Sequence, residues 1–94
     1  MNTNEDVVNA FMHGMTLSSQ NLSSTGDKLM SYNTCIIQRF ADTETIYVIN
    51  MTRYSSTTSR HRNSAYRMIQ KENCIISCVY NIPINTRDLS NVRF

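Results

Sequence analysis

The densest run of reactive side chains is Tyr54-Ser-Ser-Thr-Thr-Ser-Arg-His-Arg-Asn63, continued by Arg67 and Lys71. Serine and threonine hydroxyls just ahead of a helix, with arginines opening it, have phosphate chemistry. A helix start offers unpaired N–H groups and a partial positive charge. Hydroxyls and guanidinium groups add donors that match phosphate oxygens. The candidate phosphate or nucleic-acid contacts are Arg53, Tyr54, Thr57, Thr58, Ser59, Arg60, Arg62, Asn63, Arg67 and Lys71. The segment contains no Gly, so it matches no glycine-rich phosphate loop. Ordinary capping by one hydroxyl, followed by a solvated basic face, explains the same residues without a ligand.

His61 is the one candidate for catalysis. A histidine near a helix start can act as general acid or base on a phosphodiester, with a second group from His13, Tyr54 or Glu72. Its helical neighbours Ala65 and Met68 favour the plainer reading, a half-buried histidine packed on a sheet. Tyr54, Tyr66 and Tyr80 could stack on bases or simply fill the core. Cys74 and Cys78 are four apart, a spacing that suits two metal ligands on a helix. Here they sit in a strand-like run, with only Cys35 besides and no histidine nearby. Buried thiols are the expectation, with no metal and no cofactor.

These residues need elements to hold them. Asn4, Glu5 and Asp6 suit a helix start, and Val7, Val8, Phe11, Met12 and Met15 form an apolar stripe at helical spacing. A helix is predicted from Glu5 to His13, stopped by Gly14. Residues 16–27, rich in Ser, Asn and Thr, read as a loop. Leu29–Phe40 and Thr45–Asn50 are rich in β-branched and aromatic residues and predict an antiparallel hairpin, with room for an extra short strand near Leu29. Ser59–Glu72 lacks Gly and Pro and predicts a second helix, capped from within Ser56–Ser59. On it His61, Ala65, Met68 and Ile69 share one face, and Arg60, Ser64, Arg67 and Lys71 a neighbouring one. Cys74–Tyr80 predicts a strand, ended near Pro83. Residues 84–94 read as a loose polar tail. The expected fold is a single α+β domain over 1–94, a small antiparallel sheet with two helices in the order α-β-β-α-β.

Composition bounds the function. At 94 residues, 40% apolar, the chain can bury a modest core, and a homodimer would add to it. Residues 1–50 carry Glu5, Asp6, Asp27, Asp42 and Glu44 against Lys28 and Arg39, a net of −3. Residues 51–94 carry Arg53, Arg60, Arg62, Arg67, Lys71, Arg87 and Arg93 against Glu72 and Asp88, a net of +5. A basic half suits an anionic partner. No leader-like segment or membrane-length apolar run is visible, so reduced thiols and a cytoplasmic setting are expected.

Three stretches carry a family resemblance: Asn21-Leu-Ser-Ser-Thr-Gly26, Ser31-Tyr-Asn-Thr-Cys-Ile-Ile37 and Asn50-Met-Thr-Arg-Tyr-Ser-Ser-Thr-Thr-Ser-Arg-His-Arg-Asn63. Over roughly residues 4–70 the chain resembles a family of small, uncharacterised bacteriophage and prophage proteins. The most specific match is Tyr54, Ser55, Thr57, Thr58, Ser59, His61 and Asn63. Ile37 and Arg62 stand where that pattern commonly has Ala and Gln. The resemblance implies a phage origin and the host cytoplasm. It also implies a role against host defences, as in anti-CRISPR proteins that occupy a host ribonucleoprotein or its RNA. A small RNA- or DNA-binding protein, a metal-independent ribonuclease using His61 and Tyr54, and a virion assembly component are the alternatives.

Overall fold

A computed structural model of the chain describes residues 2–41 and 43–90. The elements run α1 (Asn4–Met12), β1 (Thr16–Ser18), β2 (Leu22–Thr25), β3 (Lys28–Ser31), β4 (Thr34–Ala41), β5 (Thr45–Asn50), α2 (Ser56–Ile69) and β6 (Ile75–Val79). The class is α+β, with two helices on a six-stranded sheet whose strands lie in sequence order. Pairings from β1 to β5 are antiparallel and β5–β6 is parallel. The expected antiparallel sheet is therefore a mixed one, because α2 carries the chain back across the sheet before β6 begins. A strand that returns through a helical crossover arrives parallel.

The expected loop at 16–27 is corrected too, since it holds β1 and β2. Each strand is short and carries a single apolar residue, Leu17 or Leu22, so neither announces itself. Ser24 is buried, and its hydroxyl donates to the Met15 carbonyl at 2.7 Å and accepts the Gly26 N–H at 3.1 Å. The long run from Leu29 breaks at Tyr32-Asn33, a two-residue hairpin with Tyr32 at φ 57. Its first part, β3, is the short strand expected near Leu29.

Both faces of the sheet are covered. The helix side holds Val7, Val8, Phe11, Leu22, Leu29, Ile36, Ile37, Tyr47, Ile49, Ala65 and Ile69. The other side holds Met30, Cys35, Val48, Val79, Ile82 and Leu89. A bulge in β4 sorts the apolar run between them. Leu29 pairs with Ile37 and Met30 with Cys35, which leaves Ile36 extra, so Ile36 and Ile37 both join the helix-side core.

The tail expected to be loose is pinned as far as Ser90. Asn85 N–H donates to Thr34 Oγ1 at 2.9 Å, Cys35 N–H to the Thr86 carbonyl at 2.8 Å, and Leu89 N–H to Gln38 Oε1 at 2.6 Å. Leu89 is fully buried. Residues 91–94, including Arg93, lie outside the described residues.

α1 starts one residue earlier than expected. Thr3, not Asn4, is the N-cap, in a reciprocal capping box with Asp6. Gly14 follows the helix at φ +73.

Candidate nucleic-acid interface

α2 begins three residues before its expected start, and this reassigns the hydroxyls. Ser55 is the N-cap, extended at φ −146, and its Oγ accepts the Thr58 N–H at 3.2 Å. Thr57, Thr58 and Ser59 therefore lie within the first turn, not ahead of the helix. Any of the five consecutive hydroxyl residues could cap. Ser55 is selected because that start turns Thr58, His61, Ala65 and Ile69 onto the sheet.

Two of the candidate residues point inward. Thr58 is buried; its Oγ1 accepts from Ser55 Oγ at 3.1 Å and lies 3.2 Å from Ser31 Oγ. His61 is 8% exposed, and its Nδ1 lies 2.9 Å from the buried Ser31 Oγ. Burial first, and then the charge of Arg60, hold its pKa below the ordinary histidine value. His61 thus belongs to a chain of side-chain hydrogen bonds joining α2 to β3, as the packed reading of its helical stripe expects. Tyr54 is also structural. Its hydroxyl donates to the Ile82 carbonyl and accepts from Asn50 Nδ2, tying the entrance of α2 to the C-terminal segment. His13 Nδ1 is engaged with its own helix at the Asn9 carbonyl, 2.8 Å away, and Glu72 is exposed beyond the end of α2. None of these candidate partners is hydrogen-bonded to His61.

The outward side of α2 does gather a site. Arg53, Tyr54, Ser55, Ser56, Ser59, Arg62 and Asn63 line a cleft of about 530 Å³ between the β5–α2 connection and the first turns of the helix. A shallower hollow of about 250 Å³, lined by Met51, Arg62, Asn63, Tyr66 and Arg67, shares Arg62 and Asn63 with it. Ser59, Arg62/Asn63 and Tyr66/Arg67 recur at helical spacing, so the two hollows form one groove along α2. Arg62 is its fixed point. Its Nη1 donates to the Met51 carbonyl at 3.3 Å and its Nη2 to Asn63 Oδ1 at 3.2 Å.

Arg60 and Lys71 are exposed but line neither hollow, and Lys71 lies past the last residue of α2. The expected stripe of Arg60, Arg67 and Lys71 is thus replaced by Arg53, Arg62 and Arg67. Ser55, Ser56 and Tyr66 were not among the phosphate candidates. The three-residue spacing of a cap to the N–H it serves, Ser55 to Thr58, was the available signal.

The groove has the donors for phosphate oxygens, and half-buried Tyr66 supplies an aromatic wall. Among the described residues no acid lines either hollow, and the only ones after Met51 in the sequence are Glu72 and Asp88, of which Asp88 accepts the Ser90 N–H at 2.8 Å. A larger cavity of about 810 Å³ lies elsewhere, lined by Asn2, Thr3, Asn4, Ser18, Ser19 and Gln20. It has no charged or titratable side chain and offers less chemistry. Of the thiols expected to be buried, Cys35 is, and burial pushes its pKa up to about 12. Cys74, just before β6, is half-buried, and Cys78, on the edge strand β6 itself, is exposed. No helix among the described residues is long and apolar enough to cross a membrane.

A model of a family of unknown function, DUF8033, matches residues 4–76, and the chain belongs to that family. No curated protein and no solved structure matches the chain.

Proposed function

We propose that this member of DUF8033 is a non-enzymatic binding protein that holds a single-stranded RNA backbone in the groove along α2. The observation that carries the reading is the convergence of Arg53, Arg62 and Arg67, with the Ser55, Ser56 and Ser59 hydroxyls, on one continuous groove walled by Tyr66. Arginines and hydroxyls there would contact phosphates without reading sequence, and a tyrosine face would accept a base. Single-stranded RNA suits this surface better than a duplex, because half-buried Tyr66 offers an aromatic wall to an unpaired base.

On the resemblance to phage proteins, the RNA belongs to a ribonucleoprotein in the host cytoplasm, and occupying it is how the protein would counter host defence. The ribonuclease alternative rests on His61 with Tyr54. It is disfavoured because Ser31 engages the imidazole and Ile82 and Asn50 engage the phenol.

Fluorescence anisotropy with a labelled single-stranded RNA at low salt tests the proposal. Binding is expected for the native chain and for His61→Gln, with the RNA recovered uncut. Arg62→Ala combined with Arg67→Ala should weaken binding by at least about tenfold, roughly 1.4 kcal/mol. Absence of binding, or equal binding by the double variant, contradicts it.

A further inference from the structure

The two edges of the sheet differ. β1 is three residues of Thr, Leu and Ser, and Asn2 Nδ2 donates to its Ser18 carbonyl at 3.1 Å. β6 is longer, and from Asn73 to Thr86 the chain has no charged residue. Edge strands are usually protected from pairing by charge, proline or brevity. β6 has no such protection until Pro83. Its surroundings expose Ile75 (44%), Tyr80 (63%) and Ile84 (66%), three of the five large exposed apolar side chains among the described residues.

From these features we infer that β6 is a homodimer interface, where two copies pair antiparallel about a two-fold axis at Ser77 and continue one sheet into the next. The register within the chain supports this centre. Met51 N–H donates to the Val79 carbonyl at 2.7 Å, so Val79 bonds towards β5, as do Ser77 and Ile75 by the alternation of a parallel ladder. The backbone groups of Ile76 and Cys78 then face the open edge. About a two-fold at Ser77, Ile76 of one copy lies opposite Cys78 of the other, and the pair exchanges both N–H···O bonds.

The side chains are self-complementary in the same register. Exposed Cys78 lies opposite the second copy's half-buried Ile76 and exposed Tyr80 opposite its half-buried Cys74, while exposed Ile75 lies opposite Val79, which is buried within its own chain. Apart from the Ser77 pair on the axis, every contact is apolar or a thiol, and no charges are brought together. A foreign strand could use the same backbone groups, but these matched pairs favour a second copy. The interface is separate from the α2 groove.

Analytical ultracentrifugation of the full chain over a rising concentration series tests the inference, together with a disulfide probe of the register. The native chain should shift from 10.8 kDa to twice that mass. Cys78→Lys, at an exposed position, should keep the native circular dichroism and weaken the dimer at least about tenfold, since it sets a charge against a neighbouring strand. In a Cys74→Ser, Cys78→Ser background, Ser77→Cys should form a reducible dimer on mild oxidation, because non-hydrogen-bonded partners across an antiparallel pair lie about 4.5 Å apart. A chain that stays monomeric to millimolar concentration, or an unchanged dimer in Cys78→Lys, overturns the inference. Failure of Ser77→Cys to cross-link in a dimeric sample overturns the assigned register.

Discussion

At the scale of single residues, the hydrogen bond between His61 and Ser31 has a consequence in pH. A histidine whose folded pKa lies below its unfolded value of 6.5 favours folding in its neutral form. The unfolded chain takes up the proton first as pH falls, so the stability His61 supplies is complete above about 6.5 and declines below it. The carboxylates act in another window. Hydrogen bonds with Thr3 lower the Asp6 pKa and those with Ser90 lower that of Asp88, so the stability they add is complete above about 3.8 and is lost only at more acid pH, outside the His61 window. Urea denaturation between pH 7.5 and pH 5 should therefore show a loss of stability that is absent in His61→Gln, whose amide cannot titrate. An identical pH profile for the variant would remove His61 as the cause. The packed role of His61 was legible from Ala65 and Met68 at helical spacing. Its partner Ser31 was not, because thirty residues separate the two and only the sheet brings them together.

At the scale of elements, five consecutive hydroxyl residues made the start of α2 ambiguous, and tertiary packing resolved it. Ser55→Ala should cost about 1 kcal/mol of unfolding free energy through loss of the cap on Thr58 N–H. Ser59→Ala, one turn on, should stay within about 0.5 kcal/mol. Denaturant melts of the two variants separate this start from the later one; a larger loss at Ser59 would contradict it. The end of α1 makes a second test. Gly14 has φ +73, and a methyl group there would fall 2.6 Å from Arg39 Nη2. Gly14→Ala should thus destabilise by about 1–2 kcal/mol, measured the same way. Both helices were legible, since apolar stripes and caps are local signals. β1 and β2 were not, because Thr16–Ser18 and Leu22–Thr25 carry one apolar residue each and owe their pairing to neighbours. The parallel placement of β6 was likewise hidden, being a property of the crossover and not of the residues from Ile75 to Val79.

At the scale of the whole molecule, charge is divided along the chain and concentrated again by the fold. The basic half was visible in composition, and Arg62, Arg67 and Asn63 were among its candidates. The groove was not visible, because it depends on where the β5–α2 connection lies against α2. That placement brings Arg53 beside Arg62 and leaves Arg60 and Lys71 outside both hollows. The same fold sets the uncharged β6 at an edge, where pairing of two copies adds backbone hydrogen bonds without repulsion. If the groove holds phosphates, its affinity must depend on salt through the number of cations in contact. The direct measurement is the slope of log affinity for single-stranded RNA against log salt concentration, for the native chain and for Arg53→Gln/Arg62→Gln/Arg67→Gln. The native slope should be steeply negative, and loss of three phosphate contacts should flatten it by about 2, at roughly 0.7 per contact. A native slope near zero, or an unchanged slope in the triple variant, would contradict RNA-backbone binding in the α2 groove.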